Sequence, residues 1–174
     1  MNDLKRLFFG LRLNDEARHA VAQAASAVRF DRGRLHPPEN LHLTLVFLGM
    51  TPGDAVPRLL RLGEAAMRAP FELALAPDMG TFKDGTILWA GVEPSEPLMA
   101  LQGRLAAMLR ENGFPAEDAP YRPHITVGRG MRLSAPPPRV ARAAFPVREV
   151  TLFESLRLDG RLVYRPLNGS RRGD

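Results

Sequence analysis

Residues 41–48 read LHLTLVFL and residues 124–129 read HITVGR, and both contain the pattern His, apolar, Thr, apolar. Side chains alternate between the two faces of a strand, so His42 and Thr44 share one face while Leu43 and Leu45 share the other. The same alternation pairs His124 with Thr126 and Ile125 with Val127. Each strand is therefore expected to have an apolar side for a core and a second side that bears an imidazole next to a hydroxyl. A lone strand histidine is by default a partly buried ring satisfied by backbone groups. The pattern recurs 82 positions later in a chain with only four His and six Thr, which reverses that default.

Upstream of the first motif, residues 6–13 (RLFFGLRL) have strand character, and Asn14 or Asp15 offers an N-cap for an Ala-rich helix running to about Arg29. Asp31-Arg32-Gly33-Arg34 and Pro37-Pro38 read as turns, and Gly49 is expected to stop the strand that carries His42. A second helix is expected over 55–67. Strands are expected over 71–76 and 86–92, joined by a turn at Lys83-Asp84-Gly85. A third helix over 97–112 repeats Leu and Met at helical spacing and ends at Gly113. After the second motif comes Pro136-Pro137-Pro138, and then a hairpin of residues 147–158 and 162–167 turned at Asp159-Gly160. Residues 168–174 read as a frayed tail. The two halves share one grammar: helix, Pro-containing loop, His-bearing strand. This predicts an α+β fold of two similar lobes with antiparallel sheets and outer helices, forming one domain over residues 1–174.

Composition narrows the chemistry. The apolar fraction of 45% and charged fraction of 25% are those of an ordinary globular protein. No run of 18 or more apolar residues or signal-peptide pattern is present, so the cytoplasm is the expected location. The chain has no cysteine, which excludes disulfides, thiolate nucleophiles and zinc–thiolate sites. Lys5 and Lys83 are the only lysines among 24 basic residues, and the net charge is +5. Arginine's planar fork matches phosphate, which suits a nucleotide or nucleic-acid substrate, although genomic base composition also favours Arg, Ala, Gly and Pro together.

Two imidazoles and two hydroxyls around one point suit in-line displacement at phosphorus. Opening a 2′,3′-cyclic phosphate needs a base for the attacking water and an acid for the departing ribose oxygen. Imidazole titrates near neutrality and can serve in either role. The hydroxyls of Thr44 and Thr126 can donate to the non-bridging oxygens, where charge develops. No carboxylate or third His accompanies either motif at ligand spacing, so no metal and no cofactor are expected. His19, in the first helix, and His36, in a loop, lack such companions and are expected at the surface.

With RLFFGLRL, PPENLHLTLVFLG, PFELAL, TILWAGV, YRPHITVGR and the closing hairpin in order, the chain resembles the two-histidine phosphoesterase superfamily. Within it, the chain is most similar to the bacterial and archaeal RNA 2′,3′-cyclic phosphodiesterases, formerly called 2′-5′ RNA ligases. The resemblance implies a bilobal, pseudo-twofold fold in which the His-x-Thr-x strands face each other across a central groove. It implies His42 as proton donor to the leaving 3′-oxygen and His124 as acceptor from water, giving a 2′-phosphomonoester. The residues by themselves are symmetric and leave those roles open. Arg129 matches a basic residue that follows the second motif in the family and is expected on phosphate, with Gly128 marking a bulge or strand end that re-aims it. Arg122 is a second phosphate candidate, and Phe47 and Trp89 are candidates for base stacking. The expected partner is RNA with 2′,3′-cyclic phosphate ends, tRNA fragments or small cyclic nucleotides included, and the expected state is a monomer. Two alternatives remain: 2′-5′ ligation at the same site, and a non-catalytic module that binds RNA ends.

Overall fold

A computed structural model describes residues 3–168. Strand β1 (Leu4–Arg12) leads into helix α1 (Asp15–Ser26), whose cap is Asn14: its side-chain oxygen accepts from the Ala17 N–H at 2.9 Å. The helix ends three residues earlier than expected because the chain is already needed for β2 (Phe30–Leu35). This strand corrects the turn expected at residues 31–34. Four of its six residues are exposed, so no apolar alternation betrays it, and only its backbone pairing with β6 (Ile125–Leu133) makes it a strand. Gly33 permits it, since its φ is +125° and a Cβ there would lie 2.8 Å from the Met131 Cα.

Strand β3 (His42–Pro52) does not stop at Gly49. It runs on beside β1, with register shifts absorbing the irregularity. Helix α2 (Val56–Ala66), strand β5 (Ile87–Val92) and helix α3 (Glu96–Glu111) follow near the expected positions, while strand β4 (Phe71–Phe82) runs on past its expected end at residue 76 to the turn before β5. The side chain of Ser95 caps α3, and Gly113 takes a φ of +79° just past its end. Strand β7 (Ala144–Val147) was not foreseen. It contains Pro146, which an edge strand tolerates. Strands β8 (Thr151–Leu158) and β9 (Arg161–Pro166) form the expected hairpin, and positive φ at both Asp159 and Gly160 defines its turn.

All pairings are antiparallel, in the order β7-β4-β5-β6-β3-β1-β8-β9, with β2 also beside β6. One half comprises β1, β3, β8 and β9, the other β2, β4, β5, β6 and β7. Among the described residues a single ladder pair, Leu43 with Ile125, joins them. The halves therefore meet edge to edge, and the two His-bearing strands lie side by side rather than on opposing sheets. One apolar core spans both halves, with Leu43, Ile125 and Val127 at 0% exposure beneath the seam. Helices α2 and α3 pack on each other and against β8 and β3, while α1 packs against β7. Among the described residues, no helix is long and apolar enough to cross a membrane.

The frayed tail expected at 168–174 lies outside the described residues except for Asn168, which is anchored. Its side chain accepts from the Leu152 N–H and donates to the Val150 carbonyl, both at 2.8 Å. Substituting Asn168→Ala should leave two buried backbone groups unsatisfied and cost about 1–3 kcal/mol. Denaturant unfolding would detect this, and a variant as stable as the parent would contradict the clasp.

Candidate active site

The seam sets the geometry. In an antiparallel pair, partners point to the same face, so the Leu43–Ile125 pair sends both side chains into the core. The residues on either side then point the opposite way, with His42 across from Thr126 and Thr44 across from His124. Two adjoining grooves of about 520 and 620 Å³ open over this face and share Thr44, Phe47, Thr126 and Arg129. His124 lines the first groove and His42 the second, so an imidazole stands to each side of the paired hydroxyls.

Both rings are clamped in the same way. Nδ1 of His42 donates to the Asn40 carbonyl and Nδ1 of His124 donates to the Arg122 carbonyl, each at 2.7 Å and each two residues upstream. This leaves Nε2 of each ring for chemistry. Nε2 of His42 lies 2.9 Å from the Thr44 hydroxyl, which donates to it when the ring is neutral.

The surroundings of the two rings differ. His42 sits against Phe8, with centroids 4.8 Å apart, and meets the edge of Tyr164 at 4.9 Å. Gly10 on the neighbouring strand makes room: a Cβ there would lie 3.0 Å from the Leu43 carbonyl and 3.5 Å from the His42 ring. Burial pushes the pKa of His42 down to about 4. The Asn40 carbonyl opposes this shift, and the charges of His36, His124 and Arg129 add to it. His124 is less enclosed and rests on the edge of Phe82, with centroids 5.0 Å apart.

Arg129 reaches the groove through a bulge. Leu88 pairs with Gly128 but Trp89 with Thr126, so β6 carries one extra residue between them. That residue restores parity and brings Arg129 to the face of His124 and Thr126. Gly128 has no room for a side chain, since a Cβ would meet Met131 Sδ at 2.7 Å and the Arg34 carbonyl at 3.1 Å. Arg122 lines the first groove and Phe47, 57% exposed, stands at the mouth of both. Trp89, expected as a stacking platform, pairs with Thr126 on β6 but is not among the residues that line either groove. Its ring lies over Gly80, where a Cβ would come within 2.2 Å of it, and against Phe82 at 5.2 Å.

Several residues escaped the sequence reading. His36, expected at the surface, is half-buried in the second groove with Arg6, Arg157 and Tyr164. Its N–H donates to the Val127 carbonyl, and burial lowers its pKa, with Arg129 adding to the effect. Tyr121 ties the halves together, its hydroxyl donating to the Thr44 carbonyl at 2.7 Å. Burial raises its pKa well above the usual phenol range. The tyrosine in YRPH was visible in the sequence, but its partner 77 residues away was not.

A family model described as the 2′-5′ RNA ligase superfamily matches residues 13–159. A Thermus thermophilus protein named RNA 2′,3′-cyclic phosphodiesterase is 36% identical over 80% of this chain and 74% of its own length. An Escherichia coli protein of the same name is 31% identical over 96% of each. The crystal structure of E. coli LigT complexed with 3′-AMP superimposes with a TM-score of 0.85 at 29% identity, covering 95% of this chain and 97% of that one.

His42 makes the site pH-sensitive in a defined direction. The folded chain binds its proton more weakly than an unfolded chain with the ordinary value of 6.5. The associated stability is therefore complete above about pH 6.5 and is lost as pH falls toward 4, amounting to about 3 kcal/mol. An NMR titration of the His42 ring should give a midpoint near 4, and saturating inorganic phosphate should raise it by about one unit or more. A midpoint of 6.5 in the phosphate-free protein would contradict the buried environment.

Proposed function

The chain belongs to the 2′-5′ RNA ligase superfamily, and we propose that His42 and His124 are the acid and base with which it opens RNA 2′,3′-cyclic phosphodiester ends. It is a phosphodiesterase, as its relatives named RNA 2′,3′-cyclic phosphodiesterase are. The observation that carries the two-histidine reading is the seam pair, which sets both His-x-Thr units on one open face. The single core shared by both halves supports one two-lobed catalytic unit.

In this reading the cyclic phosphate lies over Thr44 and Thr126, whose hydroxyls donate to the non-bridging oxygens, with Arg129 neutralising their charge. Nε2 of His124 takes a proton from water as the water oxygen bonds to phosphorus. The bond from phosphorus to the 3′-oxygen breaks, and Nε2 of His42 gives that oxygen its proton. The product is a 2′-phosphomonoester. Arg122 is a second contact for phosphate, and the exposed ring of Phe47 is a platform for the terminal base.

The low proton affinity of His42 bears on the roles. A neutral His42 cannot act as an acid, so the proton must be taken up with the substrate, whose negative charge stabilises the imidazolium. The reverse assignment, His42 as base and His124 as acid, is the reading that the burial of His42 favours. An NMR titration of the His42 ring in the complex with a 2′-nucleotide separates the two. A midpoint raised from about 4 to neutral pH or above supports the donor role of His42, and a midpoint still near 4 supports the reverse.

Replacing either ring, as His42→Gln or His124→Ala, should lower kcat on a 2′,3′-cyclic nucleotide by about 10² to 10⁴ while circular dichroism stays that of the parent. Product analysis should find a 2′-phosphate and not a joined strand. Near-normal turnover in folded variants would eliminate the catalytic assignment.

A further inference from the structure

The ribbon of β2 and β6 places like charges opposite one another. Arg34 pairs with Arg129, and Arg32 pairs with Arg132, at consecutive rungs. Like charges directly opposite in an antiparallel pair repel, and natural pairs usually avoid them. All four arginines are exposed, and among the described residues none has a carboxylate within salt-bridge distance. The arrangement is built in. Gly33, between the two β2 arginines, carries the φ of +125° that lets the strand hug Met131, and the step from Arg129 to Arg132 contains a second register shift. That shift compensates the three-residue step, so both rungs face the same way while Met131 between them is buried. A repulsion kept by such specific backbone geometry implies an anion that relieves it.

The first rung is continuous with the active site. Arg129 lines both grooves beside Thr126, so the ladder begins at the proposed phosphate position and leads away from it. The second rung lies two residues further along β2, about 7 Å on, a step on the scale of one nucleotide. We propose that this arginine ladder is a track for the sugar–phosphate backbone of the nucleotides 5′ to the cyclic end. The inference rests on the phosphodiesterase reading above and extends it: the preferred substrate is an RNA chain, and not a cyclic mononucleotide. Pairs of guanidinium forks grip successive phosphates, whatever the bases are.

The test is the Arg32→Gln, Arg132→Gln double variant, which leaves Arg129 and the groove untouched. Its binding to a fluorescein-labelled single-stranded RNA of about ten nucleotides ending in a 2′-phosphate is followed by anisotropy over a range of salt concentrations. At low salt the variant should bind at least about fivefold more weakly, and the slope of log affinity against log salt should shrink by about 1.4, for two lost phosphate contacts. Its kcat/KM on 2′,3′-cyclic AMP should stay within about twofold of the parent, and its thermal midpoint should equal or exceed the parent's because a repulsive rung is gone. RNA binding and salt slope equal to the parent's would overturn the ladder, as would equal loss of RNA binding and mononucleotide turnover. A parent protein that binds RNA in this ladder-dependent way but turns over no cyclic nucleotide would sink the catalytic reading and leave the ladder standing.

Discussion

One backbone pairing holds the functional geometry of this protein together. Leu43 and Ile125 meet across the only ladder contact between β3 and β6, and both are fully buried. Because strand side chains alternate, burying this pair forces the flanking histidines and threonines outward onto a common face. The hydrophobic core thus acts as the jig for the site. A slip of one residue at the seam would turn an imidazole into the interior and a leucine into the groove, so the register is fixed by the same energy that folds the chain. Tyr121 reinforces it, bonding from the segment before the second motif to the Thr44 carbonyl in the first.

Around that near-symmetric centre the environments are unequal. His42 is packed among Phe8, Phe153 and Tyr164, and this burial lowers its pKa, whereas His124 touches one aromatic edge at the groove wall. The aromatic box around one ring is how the fold breaks its own symmetry. Glu154, buried in β8 and held by Lys5 at 3.1 Å and Arg165 at 2.7 Å, helps bind the strands that form this box.

The charge distribution is also uneven. The grooves collect Arg6, Arg122, Arg129, Arg157 and Lys83 against a single lining carboxylate, Glu117, among the described residues. A net charge of +5 spread evenly would do little, but gathered along one face it forms a field that concentrates an anionic substrate. The β2 arginines extend that field beyond the groove.

The sequence by itself determined the candidate site residues and most of the elements. His-x-Thr-x occurs twice, the period-2 pattern orients each motif, and Asn14, Gly113 and Asp159-Gly160 mark ends and turns by local rules that need no distant partner. Even the bulge at Gly128 could be suspected, because Arg129 has the wrong parity without it. Tertiary structure decided what depends on contacts far apart in the chain. β2 is a strand only because β6 offers its backbone, Trp89 packs over Gly80 because that position carries no side chain, and His36 joins the site because β2 delivers it there. Local patterns report how a segment can sit in a sheet. Which neighbour it finds, and how buried its side chains become, is set by long-range pairing that no window of sequence contains.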